Sequence, residues 1–185
     1  EITAYDISNA YLNAPMDTEL YMKWPPGYPS ENKDTVIQLI KGLYGTRQSG
    51  RLWQQCLYDA LKELGFAVCK TESGVVHRST DNGPFVIISF VDDLCIGTSK
   101  KNRELKNKVV ELLCKKFTVK CLGILDLYIG IGVDWGTHLG LRTVYLHQEQ
   151  YWKNCVQKYL DKDDNKTAKV PATPNQRLTK LDCPI

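Results

Sequence analysis

Residues 85–97 hold the pattern that most limits what this chain can become. Two apolar runs rich in β-branched and aromatic residues, Phe85-Val86-Ile87-Ile88-Ser89-Phe90-Val91 and Leu94-Cys95-Ile96, are separated by the adjacent aspartates Asp92-Asp93 and nothing else. Such runs read as strands, and so short a gap predicts a β-hairpin with its tight turn on Asp92-Asp93. Successive side chains of a strand point to opposite faces, so neighbouring carboxylates serve one site only where the chain turns. Asp-Asp is a poor turn pair beside the Asn-Gly or Asp-Gly that a two-residue hairpin turn favours, which points to selection for something other than turn geometry. Runs this apolar are expected to be buried on both faces, with the turn close to the core. Two carboxylates there repel each other unless a cation neutralises them, and an all-oxygen ligand set suits Mg²⁺ or Mn²⁺ rather than zinc. The plain alternative is a solvated turn. A third carboxylate brought to the same place decides for the metal.

Composition sets the frame for that question. At 185 residues, with 43 % hydrophobic and 24 % charged residues, the chain has material for one domain with a core, or a domain and an appendage. A formal net charge of +3 does not by itself announce a nucleic-acid binder, but it permits one if the basic residues are concentrated locally. The seven cysteines are scattered, without a Cys-x-x-Cys or a paired His, so neither zinc nor a disulfide framework is indicated and a reducing, intracellular setting fits best. No run is long and apolar enough to span a membrane, and no signal peptide is present. The first residue is Glu and strand-like sequence begins at once, as in a piece of a longer polypeptide.

Taken in order, residues 1–8 predict a strand with Asp6 near its C-terminal end, and Asn9 to Ala14 a single helical turn stopped by Pro15. Short strands are expected over 20–24 and 35–40, with a Pro-Pro-Gly loop between them. Residues 41–51 are glycine-rich and basic, and they lead into a helix with Leu52, Trp53, Cys56, Leu57, Ala60, Leu61 and Leu64 on one face, ended by Gly65. A helix N-terminus flanked by Arg47 and Arg51 favours an anion such as a triphosphate; the plain alternative is solvated arginines. Strands at 66–69 and 75–78, a helix over 101–117, a strand at 127–135, a turn at 136–140, a partner strand at 141–146 and a helix over 148–160 complete the series. Residues 161–185 read as a linker or tail, giving a domain of 1–160. The fold class is α+β: helices layered on an antiparallel sheet. In it the Asp6 strand can lie beside the hairpin.

The segments Asp6-Ile7-Ser8-Asn9-Ala10-Tyr11-Leu12-Asn13-Ala14-Pro15, Leu20-Tyr21-Met22 with Pro25-Pro26-Gly27-Tyr28, and Gly42-Leu43-Tyr44-Gly45-Thr46-Arg47-Gln48-Ser49-Gly50-Arg51-Leu52-Trp53 form a specific series with Phe90-Val91-Asp92-Asp93. With Leu122-Gly123, Tyr128-Ile129-Gly130-Ile131, Leu146-His147-Gln148-Glu149-Gln150-Tyr151 and Pro171-Ala172-Thr173-Pro174, the series resembles the reverse transcriptase of copia-type LTR retrotransposons over nearly the whole chain. The resemblance implies a polymerase palm with Asp6, Asp92 and Asp93 as catalytic carboxylates. It implies two Mg²⁺ (or Mn²⁺) ions, about 3.5–4 Å apart, serving transfer of dNTPs to a primer 3′-hydroxyl. Asp6 and Asp92 would be the principal ligands and Asp93 a secondary one. Tyr11 would exclude a ribose 2′-hydroxyl. Ala10, Tyr44, Gly45 and Arg47 would border the nucleotide, and Arg47, Gln48 and Arg51 the nucleic acid.

The implied partners are an RNA or DNA template with its primer, dNTPs, and the rest of a polyprotein (fingers, integrase, RNase H), with no membrane. The implied setting is cytoplasmic, within a virus-like particle. The chain departs from the family pattern at Gly50, usually Pro, and at Phe90, usually Tyr; the fingers that precede the Asp6 strand in the family lie outside it. The alternatives are a catalytically inactive retrotransposon remnant and a palm-like nucleotidyl cyclase, which would need neither template nor sugar gate.

Overall fold

The strand that carries Asp6 lies inside the sheet, not at its edge. A computed structural model describes residues 1–28 and 35–160, and the chain divides into two compact units, Glu1–His147 and Gln148–Ile185. In the first unit, β1 (Ile2–Ile7) pairs on one side with β7 (Asp93–Thr98) and on the other with β8 (Val119–Ile124), antiparallel to both. The hairpin partner β6 (Gly83–Phe90) follows β7, then β5 (Val75–Thr80) and the two-residue β4 (Ala67–Val68), so the sheet runs β4-β5-β6-β7-β1-β8. The expected strands at 20–24 and 35–40 shrink to β2 (Tyr21–Met22) and β3 (Ile37–Gln38), a small sheet of their own.

Two helices cover one face of the large sheet. In α1 (Ser49–Lys62), Trp53, Leu57, Ala60 and Leu61 recur at helical spacing and are all buried, and Gly65 follows at φ 74°, the left-handed conformation that ends a helix. In α2 (Arg103–Lys116), Val109 and Leu113 are fully buried, while Lys116 is exposed and paired with Glu63 at 2.7 Å. These helix residues meet Tyr5, Ile7, Phe85, Ile87, Leu94 and Ile96 from the sheet in one core. Each such side chain contributes about 1.5–3 kcal/mol on burial, so this layer carries most of the unit's stability. On the other face a smaller core of Ala4, Cys95, Leu125 and Val133 lies beneath β9 (Leu127–Tyr128) and β10 (Ile131–His138), which continue into β11 (Leu141–His147).

The structure corrects several expectations. The hairpin pairs Phe90 with Asp93, so its turn is Val91-Asp92, and Asp93 already belongs to β7. Of the two hairpin strands only β7 is buried on both faces; on β6 the side chains facing away from the helices, Ile88 and Phe90, are 41 % and 55 % exposed. The expected single strand at 127–135 is broken by Ile129-Gly130, both at positive φ, and the turn expected at 136–140 narrows to Leu139-Gly140. Strand β8 was not expected at all. In the second unit the described residues form α3 (Glu149–Tyr159), none of which is buried. The expected tail, 161–185, lies outside the described residues.

Candidate active site

Antiparallel register, not sequence proximity, brings the carboxylates together. β1 and β7 set Asp6 opposite Asp93. The Ile7 amide donates to the Asp92 carbonyl at 2.8 Å, so Ile7 and Asp92 form a hydrogen-bonded pair. Asp6 and Asp93 are therefore the adjoining narrow pair, where facing side chains stand closest. By strand alternation both carboxylates project on the face of Ala4 and Cys95, away from the helices. Among the described residues no donor reaches either of them.

Burial first, then the charges of Asp6 and Asp92, push the Asp93 carboxyl above the ordinary carboxylate range. A carboxyl whose folded pKa exceeds its unfolded one favours folding while it is protonated. That contribution is present below the ordinary value and is lost as pH rises through the folded value. Asp93→Asn is accordingly expected to match the wild type in urea melts near pH 3 and to exceed it at pH 7. A gap that is constant across this range would contradict the repulsion.

Asp92 occupies the turn, where Val91 holds φ 53° despite its β-branch, a conformation that costs about 1–3 kcal/mol. Two remote donors hold this turn in place: Ile7 N–H on the Asp92 carbonyl and the Trp53 indole N–H on the Val91 carbonyl, each at 2.8 Å. The Asp92 carboxylate itself accepts from the Tyr44 hydroxyl, 2.9 Å from both oxygens. Burial and this bond to Asp92 raise the Tyr44 pKa. As they stand, no three Asp, Glu, His or Cys side chains among the described residues form a group that could hold a metal ion. The donor chemistry nonetheless fits a hard divalent cation: all oxygen, unpaired at Asp6 and Asp93, and strained by a repulsion that a cation relieves.

The glycine-rich segment borders this end of the sheet. Tyr11, on the 3-10 turn Ala10–Asn13, lies with its ring centroid 4.4 Å from that of Tyr44. Gly42 is required there, because a Cβ would stand 2.7 Å from the Tyr11 carbonyl and 2.9 Å from Ser49 Oγ. Buried Ser49, at the start of α1, accepts from the Leu43 amide at 2.9 Å and bonds Thr46 Oγ1. At Gly50 an added Cβ would sit 3.5 Å from the Tyr11 hydroxyl, an ordinary van der Waals contact.

Of the other expected contact residues, Ala10 is fully buried, backbone and side chain alike, so the structure leaves no surface of it open to a nucleotide. Gly45 sits at φ 97° in open space. Arg47 is exposed and makes no ion pair among the described residues. Gln48 donates to Thr18 Oγ1 at 3.3 Å, and Arg51 is paired with Asp17, an exposed ion pair of the weakly held kind. Sequence reasoning missed two residues: Trp53 as the support of the turn, hidden because its helix spacing already explained it, and Tyr128, which reads as an ordinary strand aromatic.

A helix-backed antiparallel sheet with aspartates on adjoining central strands defines an α+β domain of the polymerase type. Residues 1–174 match the family of reverse transcriptases (RNA-dependent DNA polymerases), and the chain belongs to that family, in its copia-type branch. It is 36 % identical over 129 residues to the putative transposon Ty5-1 protein of Saccharomyces cerevisiae, covering 69 % of this chain and 41 % of that protein. Against the retrovirus-related Pol polyprotein from transposon TNT 1-94 of Nicotiana tabacum it is 28 % identical over 189 residues, covering all of this chain and 14 % of the polyprotein. Against the transposon Ty1-DR1 Gag-Pol polyprotein of S. cerevisiae it is 32 % identical over 184 residues, covering 99 % of this chain and 10 % of that one. The chain thus spans less than half the length of these relatives. Among the described residues no helix is long and apolar enough to cross a membrane.

Proposed function

We propose that this chain is the nucleotidyl-transfer palm of an RNA-directed DNA polymerase, working as a segment of a retrotransposon Pol polyprotein. One observation carries the reading: the Asp6–Asp93 cross-strand pair, next to Asp92 at the turn, on the sheet face left free of helices. Asp6 and Asp92, with Asp93 in a secondary role, are the residues that would hold Mg²⁺ or Mn²⁺. Such ions, when bound, activate a primer 3′-hydroxyl and neutralise charge on the triphosphate. The Asp92 carboxylate has lone pairs enough to accept from Tyr44 and would still be able to hold a cation, which couples the nucleotide border to the carboxylates. Arg47 offers an unpaired positive charge to phosphate, so binding of template and primer weakens as salt rises.

The test is primer extension on an RNA template. Incorporation of dNTPs that depends on Mg²⁺ or Mn²⁺ supports the reading; none at any concentration of either ion refutes it and leaves the non-catalytic remnant. Tyr11 is proposed as the sugar gate, its ring bordering the carboxylate-bound Tyr44. Tyr11→Ala is expected to reduce discrimination against ribonucleotides by roughly 10–100-fold, the scale for a small steric difference in a pocket. Unchanged discrimination removes the gate and favours a cyclase-like site.

A further inference from the structure

Among the described residues, the Tyr128 hydroxyl is the one buried side-chain polar group without a hydrogen-bond partner. Tyr128 packs on the small core of Ala4, Cys95, Leu125 and Val133. Ala4 and Cys95 are themselves a cross-strand pair, two positions along β1 and β7 from Asp6 and Asp93 and on the same face. Burial, followed by the charges of Cys95 and Asp93, pushes the phenol up to about 12, so it stays protonated and able to donate. A sealed donor with no acceptor is unfavourable, and phenylalanine would fill this core without that penalty. On the same sheet face, two positions along β7 from Cys95, the Asp93 carboxylate has acceptor oxygens and no donor among the described residues.

We propose that Tyr128 is a positioning residue of the cation site: its hydroxyl donates to the Asp93 carboxylate when that side chain turns to hold a divalent ion. The proposal rests on reading Asp6, Asp92 and Asp93 as cation ligands. In the free protein Asp93 is repelled by Asp6 and Asp92 and the phenol is left unsatisfied. Once positive charge gathers the carboxylates, Asp93 settles among them and the phenol gains its acceptor. Hydrogen bonds that orient a ligand in this way typically govern metal affinity by 10–100-fold.

The full chain and its Tyr128→Phe variant are compared by isothermal titration with Mg²⁺ and Mn²⁺, and by thermal melting without divalent ions. Tyr128→Phe is expected to melt at the same or a higher temperature in the absence of cation, yet to bind Mg²⁺ about tenfold more weakly. In an Asp93→Asn background the Tyr128→Phe change is expected to have no further effect on binding. Equal affinity of wild type and Tyr128→Phe overturns the proposal while leaving the carboxylate site intact. A lower melting temperature without cation also overturns it, since the hydroxyl would then have a partner already. Absence of cation binding by the wild type overturns both this proposal and the reading beneath it.

Discussion

Asp92→Asn is expected to abolish metal-dependent primer extension, by roughly 10³-fold or more, while the protein stays folded. The magnitude follows from the several kcal/mol that metal-borne charge stabilisation supplies, at about 1.4 kcal/mol per tenfold in rate. The fold is spared because the Asp92 backbone, not its side chain, joins the sheet: the carbonyl accepts from Ile7 N–H, and an amide keeps that bond. The side-chain oxygen of Asn can still accept from Tyr44, so the polar partner is not orphaned. What disappears is one negative charge. Circular dichroism and urea melts establish that folding is retained, and extension on a primed RNA template reads the loss. Extension by Asp92→Asn at the wild-type rate would mean that any polymerase activity arises elsewhere.

Trp53→Ala is expected to destabilise the first unit by about 3–5 kcal/mol, the usual cost of truncating a buried aromatic. Trp53 is 2 % exposed, and its ring meets Phe117 edge-on at a centroid distance of 5.0 Å. That loss is a large part of the 5–15 kcal/mol typical of a whole domain. The milder Trp53→Phe separates packing from hydrogen bonding, because it keeps an aromatic ring but leaves the Val91 carbonyl without the indole donor. It is expected to cost about 1–3 kcal/mol and to lower extension beyond what the folded fraction explains, since the strained turn under Asp92 loses one of its two remote supports. Denaturant melts and extension rates, corrected for the folded fraction, check both. A Trp53→Phe protein as active as wild type per folded molecule would show that the turn holds itself.

The parts of the fold that local physics determines were legible in the residues. The apolar spacing of Trp53, Leu57, Ala60 and Leu61 placed α1, and the β-branched runs around Asp92-Asp93 placed the hairpin. What escaped was decided by distant contacts. Val91 is a poor residue for positive φ, and the turn centres on it because Trp53 and Ile7, far away in sequence, donate to the Val91 and Asp92 carbonyls. β8 was hidden by its alternation of lysine, cysteine and Gly123 at φ 95°, and by a register shift where β1 passes Ala4 to Tyr5. It becomes a strand because β1 offers it an edge. Ile129 likewise takes φ 51° inside what reads as one apolar strand. At the site, Asp6 opposite Asp93 was foreseeable as a possibility of topology. The Tyr44 bond to Asp92 has no sequence signal, because it depends on side chains 48 residues apart meeting in space, and the unpartnered Tyr128 hydroxyl has none because its burial depends on packing against Ala4 and Cys95 of distant strands.

The proposed site requires Asp6 and the 92–93 turn to share one cation across the β1–β7 pairing. Titrating Mn²⁺ into the wild type and into Asp6→Asn, with bound metal followed by electron paramagnetic resonance, addresses that directly. Asp6→Asn is expected to lose most of its Mn²⁺ affinity while melting no lower than the wild type, because the variant also sheds a like-charge contact with Asp93. Wild-type affinity retained in Asp6→Asn would contradict it: the first strand would then have no part in the site.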